Sequence, residues 1–290
     1  MQTTHTSPPP PGLSDSQRRA LISLLVDDDP AIYQMVRSKL LTYGPPAVQW
    51  LRPHTLSNDP RMRRRAQEIV QHHARLTSEA RFLEFCQRKG EDIDLEYATG
   101  LLAQTRYPEC NTEAYAALYD AWAAELDLRL DRTAGAETQL ATIAQFLFEE
   151  LGFSGHDQYG SDLDSCYLNR VVDKRAGNPI GLSAIYLFVS RRLRLPVRGI
   201  GLPGHFICRY QSSTKELFID CFRSGVLLSK ADCIKYLMQS NFGLADGHLS
   251  PVSPRRILLR MCHNLVNTCA HLEMIEEASR AQRYVTALMR

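Results

Sequence analysis

Apolar residues recur at helical spacing along most of this chain, and three short strand-like runs interrupt that rhythm: Val197–Ile200, His205–Tyr210 and Glu216–Asp220. The interruption follows a marked change at Gly152, which sits where a helix would end. The pattern predicts a helix-rich α+β protein with one small antiparallel sheet. With 290 residues there is room for one main domain with helical additions.

Before Gly152 the stripes are helical. Leu21, Leu24 and Leu25 lead to Asp27-Asp28-Asp29-Pro30, an acidic cap followed by proline. Ile32, Met35, Val36 and Leu40 follow, until Gly44-Pro45-Pro46 breaks the run. Ala47, Val48 and Leu51 mark another helix, and Asp59-Pro60 opens one around Ala66, Ile69 and Val70. Arg61-Met62-Arg63-Arg64-Arg65 reads as a solvated helix start. A second block runs through Leu95, Ala98, Leu101 and Leu102, then Tyr115, Leu118, Tyr119, Trp122 and Leu126, then Leu140 to Leu151. After Gly152 come a loop at 155–160, a short helix from Tyr167 and a helix over 179–194. Beyond the strands lie a helix at 230–238 and a final pair from Pro254 to Met289. The expected organisation is a disordered proline-rich tail over 1–15, a helical segment over 16–90, the main domain over 91–250 and a helical hairpin over 251–290.

Composition removes several functions. The charge is +2 from 34 basic and 32 acidic residues, and no turn carries a basic recognition helix, so no nucleic-acid partner is expected. No apolar run approaches the ~18 residues of a membrane span, and Met1–Gly12 lacks the basic and apolar regions of a leader. The eight cysteines sit inside apolar patterns without a CxxC pair, which reads as reduced thiols in a cytoplasmic protein.

The strands hold the chemistry. With Gln211–Thr214 as a four-residue loop, Tyr210 faces Lys215 and His205 lies opposite Asp220. Opposed residues keep their Cβ atoms about 4.5–5.5 Å apart, which allows a bond from Nδ1–H to the carboxylate. The same pair also reads as a polar core histidine tied to a neighbouring carboxylate. A metal set of His205, Cys208, Asp220 and Cys221 is disfavoured, because alternation puts the two cysteines on the opposite face.

The strings Tyr167-Leu168-Asn169-Arg170-Val171, Gly177-Asn178-Pro179-Ile180-Gly181-Leu182-Ser183, Gly201-Leu202-Pro203-Gly204-His205-Phe206 and Phe218-Ile219-Asp220-Cys221 resemble the SirB family of transglutaminase-like proteins. The resemblance covers residues 91–290, not 1–90, and implies a papain-like core. Separately, the C-terminal pair resembles a single tetratricopeptide-like hairpin, and the short N-terminal helices punctuated by Asp-Pro and Gly-Pro resemble HEAT-type repeats. The SirB-family resemblance also implies His205 as the general base, Asp220 as its orienting carboxylate, and a nucleophilic cysteine at the position that Pro179 occupies. A thiolate at a helix start would gain from the helix dipole, whereas proline is a good first helical residue with Asn178 as its cap. Ser183, four residues on, reads as a substitute nucleophile or as a small residue for close packing; Cys166 is a more remote candidate. The leading expectation is a non-catalytic scaffold or regulatory protein with a protein or peptide partner and no cofactor. The alternative is a hydrolase or acyl transferase using Ser183 or a displaced cysteine with His205 and Asp220.

Overall fold

A computed structural model describes residues 13–239 and 247–290, and they form two compact units. The expected tail over 1–15 lies outside the described residues as far as Gly12. Its last residues belong to a helix cap instead: Ser14 Oγ accepts from Gln17 N, and Gln17 Oε1 accepts from Ser14 N at 2.9 Å.

The first unit runs to Ala80, with Thr105–Pro108. It contains α1 (Asp15–Ser23), α2 (Pro30–Tyr43), α3 (Pro45–Leu51) and most of α4 (Pro60–Cys86). Asp29 caps α2 through Ala31 N with Pro30 at the first turn, and Gly44, at φ +66°, turns the chain into α3. Ile22, Leu25, Val36, Leu40, Leu51, Ala66 and Ile69 make its core. Met35 is largely exposed, so the α2 stripe is narrower than its spacing suggests. Much of the basic run at 61–65 is spent locally. Arg61 pairs with Asp28, Arg63 bonds Ser57 O, and Arg65 bonds the carbonyls of Leu25 and Asp27 while lying 4.1 Å from the Tyr33 ring centroid.

The second unit comprises Arg81–Gln104 and Glu109–Arg290. Its helices are the bulk of α5 (Leu95–Arg106), α6 (Thr112–Arg129), α7 (Ala136–Ala144), α8 (Leu168–Lys174), α9 (Pro179–Arg192), α10 (Lys230–Gln239), α11 (Pro254–His271) and α12 (Ile275–Leu288). On α6 the buried face centres on Tyr119, Trp122 and Leu126, leaving Leu118 exposed. A π-helical turn, Gln145–Glu150, continues α7, and Gly152 at φ +73° ends it. Short strands β1 (Ser154–Gly155) and β2 (Ala176–Gly177) pair in parallel. The main sheet is antiparallel in the order β3 (Val197–Leu202), β4 (His205–Gln211), β5 (Glu216–Asp220) and β6 (Val226–Leu228).

This sheet positions the site because its two faces meet different helices. Ile200, Leu202, Ile207 and Phe218 pack with Cys233 and Leu237 of α10. On the other face, Cys208 touches α9 through a contact of its Sγ with Ser183 O at 3.7 Å. Eleven of the fourteen residues of α9 are buried, which explains its weak amphipathicity: it is a central helix and not a surface one. The α11–α12 hairpin is part of this unit. Phe82 meets Tyr284 edge-on at 4.9 Å, and buried Arg255 donates to Cys86 O, Arg88 O and Leu288 O at 3.0, 2.7 and 3.0 Å.

Candidate active-site cleft

His205 begins β4 and Asp220 ends β5, and His205 Nε2 lies 3.0 Å from Asp220 Oδ2. The register differs from the one expected. Gln211 pairs with Glu216, and Ser212 N donates to Lys215 O at 2.9 Å, so the loop is Ser212–Lys215 and the pairing shifts by two residues. Ser212 Oγ accepts from Thr214 N and Lys215 N, which holds that turn. An even shift keeps both side chains on one face, so they meet diagonally instead of directly. The bonding nitrogen is also Nε2 and not Nδ1. A carboxylate only accepts, so Nε2 carries the hydrogen and a neutral ring keeps its lone pair on Nδ1.

Asp220 is buried and tightly held. Its Oδ1 accepts from Phe222 N at 3.1 Å and Arg223 N at 3.3 Å, capping a 3-10 turn over Cys221–Arg223. The His205 ring stands edge-on to Phe222 at 6.1 Å and tilted to Tyr236 at 5.9 Å, and Tyr159 stands edge-on to Phe222 at 5.7 Å. Gly155 lets β1 approach this wall: a Cβ there would stand 2.6 Å from Phe222 O.

The candidate nucleophiles lie elsewhere. Pro179 is buried at the first turn of α9, behind Asn178, whose Oδ1 accepts from Gly181 N and whose Nδ2 donates to Ser165 O, both at 2.8 Å. Ser183 is fully buried with its Oγ 3.5 Å from Phe206 O, on the side of the sheet that carries Cys208. His205 lies three residues from Cys208 and therefore points to the opposite face from the one Ser183 packs against. Cys166 contacts Thr268 Oγ1 at 3.5 Å, and burial pushes its thiol up to about 12. Cys208 and Cys221 stack at 3.9 Å on the α9 side, where burial raises the Cys221 thiol.

On the His205 side the sheet and α10 enclose an open cleft of about 480 Å³, lined by His205, Asp220, Phe222, Arg223, Asp232, Cys233, Lys235 and Tyr236 among others. Cys233 is the thiol that the fold brings to this cleft, and nothing in its sequence context marked it. It is buried, and desolvation raises it to about 11 with help from Asp232, Asp220 and Glu216. Tyr236 and Arg260 also escaped the sequence reading, because both come from helices distant along the chain. Tyr236 OH donates to Pro203 O at 3.2 Å and Arg260 Nη1 to Leu202 O at 2.7 Å, so α10 and α11 hold consecutive carbonyls of the turn before His205. Among the described residues no group of three or more His, Cys, Asp or Glu side chains is placed to hold a metal ion. No described helix is long and apolar enough to cross a membrane.

A family model of the transglutaminase-like superfamily matches residues 113–263, from α6 into α11. The chain belongs to that superfamily. A UPF0162 protein of Xylella fastidiosa is 30% identical over 206 residues, covering 69% of this chain and 73% of the relative. Protein SirB1 of Salmonella typhimurium is 29% identical over 83 residues, 29% of this chain and 31% of that one. Human F-box only protein 21 is 29% identical over 129 residues, 42% of this chain and 20% of its own length. Part of this chain thus has a counterpart inside a much longer polypeptide. No solved structure matches the chain.

Proposed function

We propose that this chain is a non-catalytic member of the transglutaminase-like superfamily, a cytoplasmic scaffold or regulator whose His205 cleft holds a peptide segment of a protein partner. What supports the reading is the contrast between an intact His205–Asp220 pair and a buried Pro179 at the helix start where the family resemblance puts the nucleophile. Ser183 and Cys166 are buried away from the cleft face, and Cys233 is a thiol that burial keeps protonated. A histidine held by its carboxylate through Nε2 offers Nδ1 as a fixed hydrogen-bonding group, which suits recognition as well as catalysis.

The competing reading is a hydrolase or acyl transferase, and the 3.0 Å His205–Asp220 bond is what favours it. The deciding experiment treats the full chain and His205→Ala with broad thiol- and serine-directed electrophiles and maps the adducts by mass spectrometry. The binding-module reading expects no labelling that depends on His205. Labelling of Cys233, Ser183 or any other single residue that disappears in His205→Ala would establish the enzyme reading and name the nucleophile.

A further inference from the structure

β3 is an edge strand of the main sheet, and the chain covers only part of it. Val252 N donates to Gly199 O at 2.9 Å and Ile200 bridges Pro251, so the stretch before α11 covers β3 at Gly199 and Ile200. At Ser253 and Pro254 the chain turns into α11 and leaves the edge. Gln211 N donates to Pro196 O, so alternation points the Val197 carbonyl away from β4, into the uncovered stretch. That stretch opens on a groove of about 750 Å³, which shares no lining residue with the His205 cleft. Leu187, Phe188, Leu195, Val197 and Ile257 supply its apolar lining.

The charges along this edge are unevenly met. Arg191, which also lines the groove, is paired with Glu96 at 2.7 Å and Asp94 at 3.8 Å. Arg198 stands directly opposite Arg209 in the β3–β4 register, which sets two guanidinium side chains beside each other. Arg209 takes Glu216 at 3.3 Å, a carboxylate that Lys230 also approaches at 3.9 Å. Even so, the Arg209 Nε is buried without a partner among the described residues. Arg194 and Arg198 line the groove, are exposed and form no ion pair among the described residues. Arg194 holds the left-handed position after α9, at φ +58°, where glycine is the less costly residue. Asp92 is the single carboxylate among the described lining residues, so the rim keeps an excess of positive charge.

We propose that this groove holds an extended acidic segment of a partner protein, with a backbone N–H on the Val197 carbonyl, a carboxylate on Arg194 and Arg198, and apolar side chains against Phe188 and Ile257. It is a second docking surface, and it does not rest on the reading of the His205 cleft. The sign of the charge selects the occupant. Two copies pairing through β3 would bring Arg194 and Arg198 of both chains together, which like charges oppose. An acidic segment meets the same residues with opposite charge, and the apolar area beside them supplies affinity.

The test passes a degenerate octapeptide library, acetylated and amidated so that no terminus is charged, over the immobilised full chain and sequences the retained peptides by mass spectrometry. About tenfold enrichment of Asp or Glu beside apolar residues is expected. Arg194→Gln with Arg198→Gln should abolish that preference, and Arg194→Glu with Arg198→Glu should reverse it toward Lys and Arg; all four changes fall on exposed side chains. Hydrogen exchange locates the retained peptide, which should slow amides within 195–199 and 251–257. Retention without an acidic preference, or a preference unchanged by both double variants, refutes the proposal. Protection confined to 205–223 and 232–236 refutes it too and leaves the cleft reading standing. Retention of no peptide also refutes it. A full-chain dimer in sedimentation that slows the 195–199 amides without peptide puts a second copy in the groove and refutes the acidic segment.

Discussion

Asp220 makes three hydrogen bonds with two oxygens, so its replacements separate the support of the turn from the support of the His205 ring. In Asp220→Asn the amide oxygen can still accept from Phe222 N and Arg223 N. Each bond then falls from the charged class, about 1.5–3 kcal/mol, to the neutral class, about 0.5–1.5 kcal/mol. The expected loss is about 2 kcal/mol. The new NH₂ faces Nε2, so the ring must accept there and move its hydrogen to Nδ1. Asp220→Ala removes all three acceptor contacts. Two amides lose their partner, at about 1–3 kcal/mol each where water cannot replace it, and the exposed Arg223 end of the turn recovers part of that. The expected loss is about 3–4 kcal/mol. Urea denaturation followed by Trp122 fluorescence in a Trp50→Phe background reads the stability, because those are the two tryptophans and Trp122 is buried in the second unit. Long-range ¹H–¹⁵N spectra of the His205 ring read the tautomer. A loss below about 1 kcal/mol in Asp220→Ala, or a hydrogen still on Nε2 in Asp220→Asn, would refute the account of how the ring is held.

Asn178→Ala removes a cap and leaves Ser165 O without its donor, so a loss of about 2 kcal/mol is expected by the same denaturation assay. Gly155→Ala drives a Cβ into Phe222 O and the Phe222 ring, and should cost about 1–3 kcal/mol while shifting the His205 ring resonances. Arg255→Met strands three carbonyls at the ends of α4 and α12. It should cost about 3–5 kcal/mol and speed amide exchange in the last turn of α12. Burial holds Cys86 and Cys166 up at about 12 and Cys110 and Cys233 at about 11, against about 8.5 in an unfolded chain. Above pH ~8.5 the unfolded state releases protons that the native state retains. Their contribution is therefore full below that pH and declines as pH rises toward 11–12. Urea midpoints at pH 7.5 and 10.5 check this, and equal midpoints would contradict it.

Much of the site was legible because its signals are local. Asn178-Pro179 reads as a helix start wherever the helix later packs, and Asn178 does cap α9. His205 and Asp220 fall on one sheet face even though the expected register was two residues out, because alternation survives an even slip. The choice of Nε2 was not legible, since it depends on the diagonal approach of Asp220 from the end of β5. Strands of two or three residues, such as β1, β2 and β6, leave no periodic trace to read.

The sequence by itself determined the helices, the hairpin, the cap that carries Pro179 and the shared face of His205 and Asp220, since each depends on spacing within a short stretch. Only the tertiary structure decided that Ser183 packs behind the sheet, that Cys233 lines the cleft, and that Tyr236 and Arg260 meet at the turn before His205. Those outcomes follow from which faces of α9, α10 and α11 bury against the sheet, and such packing joins residues far apart along the chain.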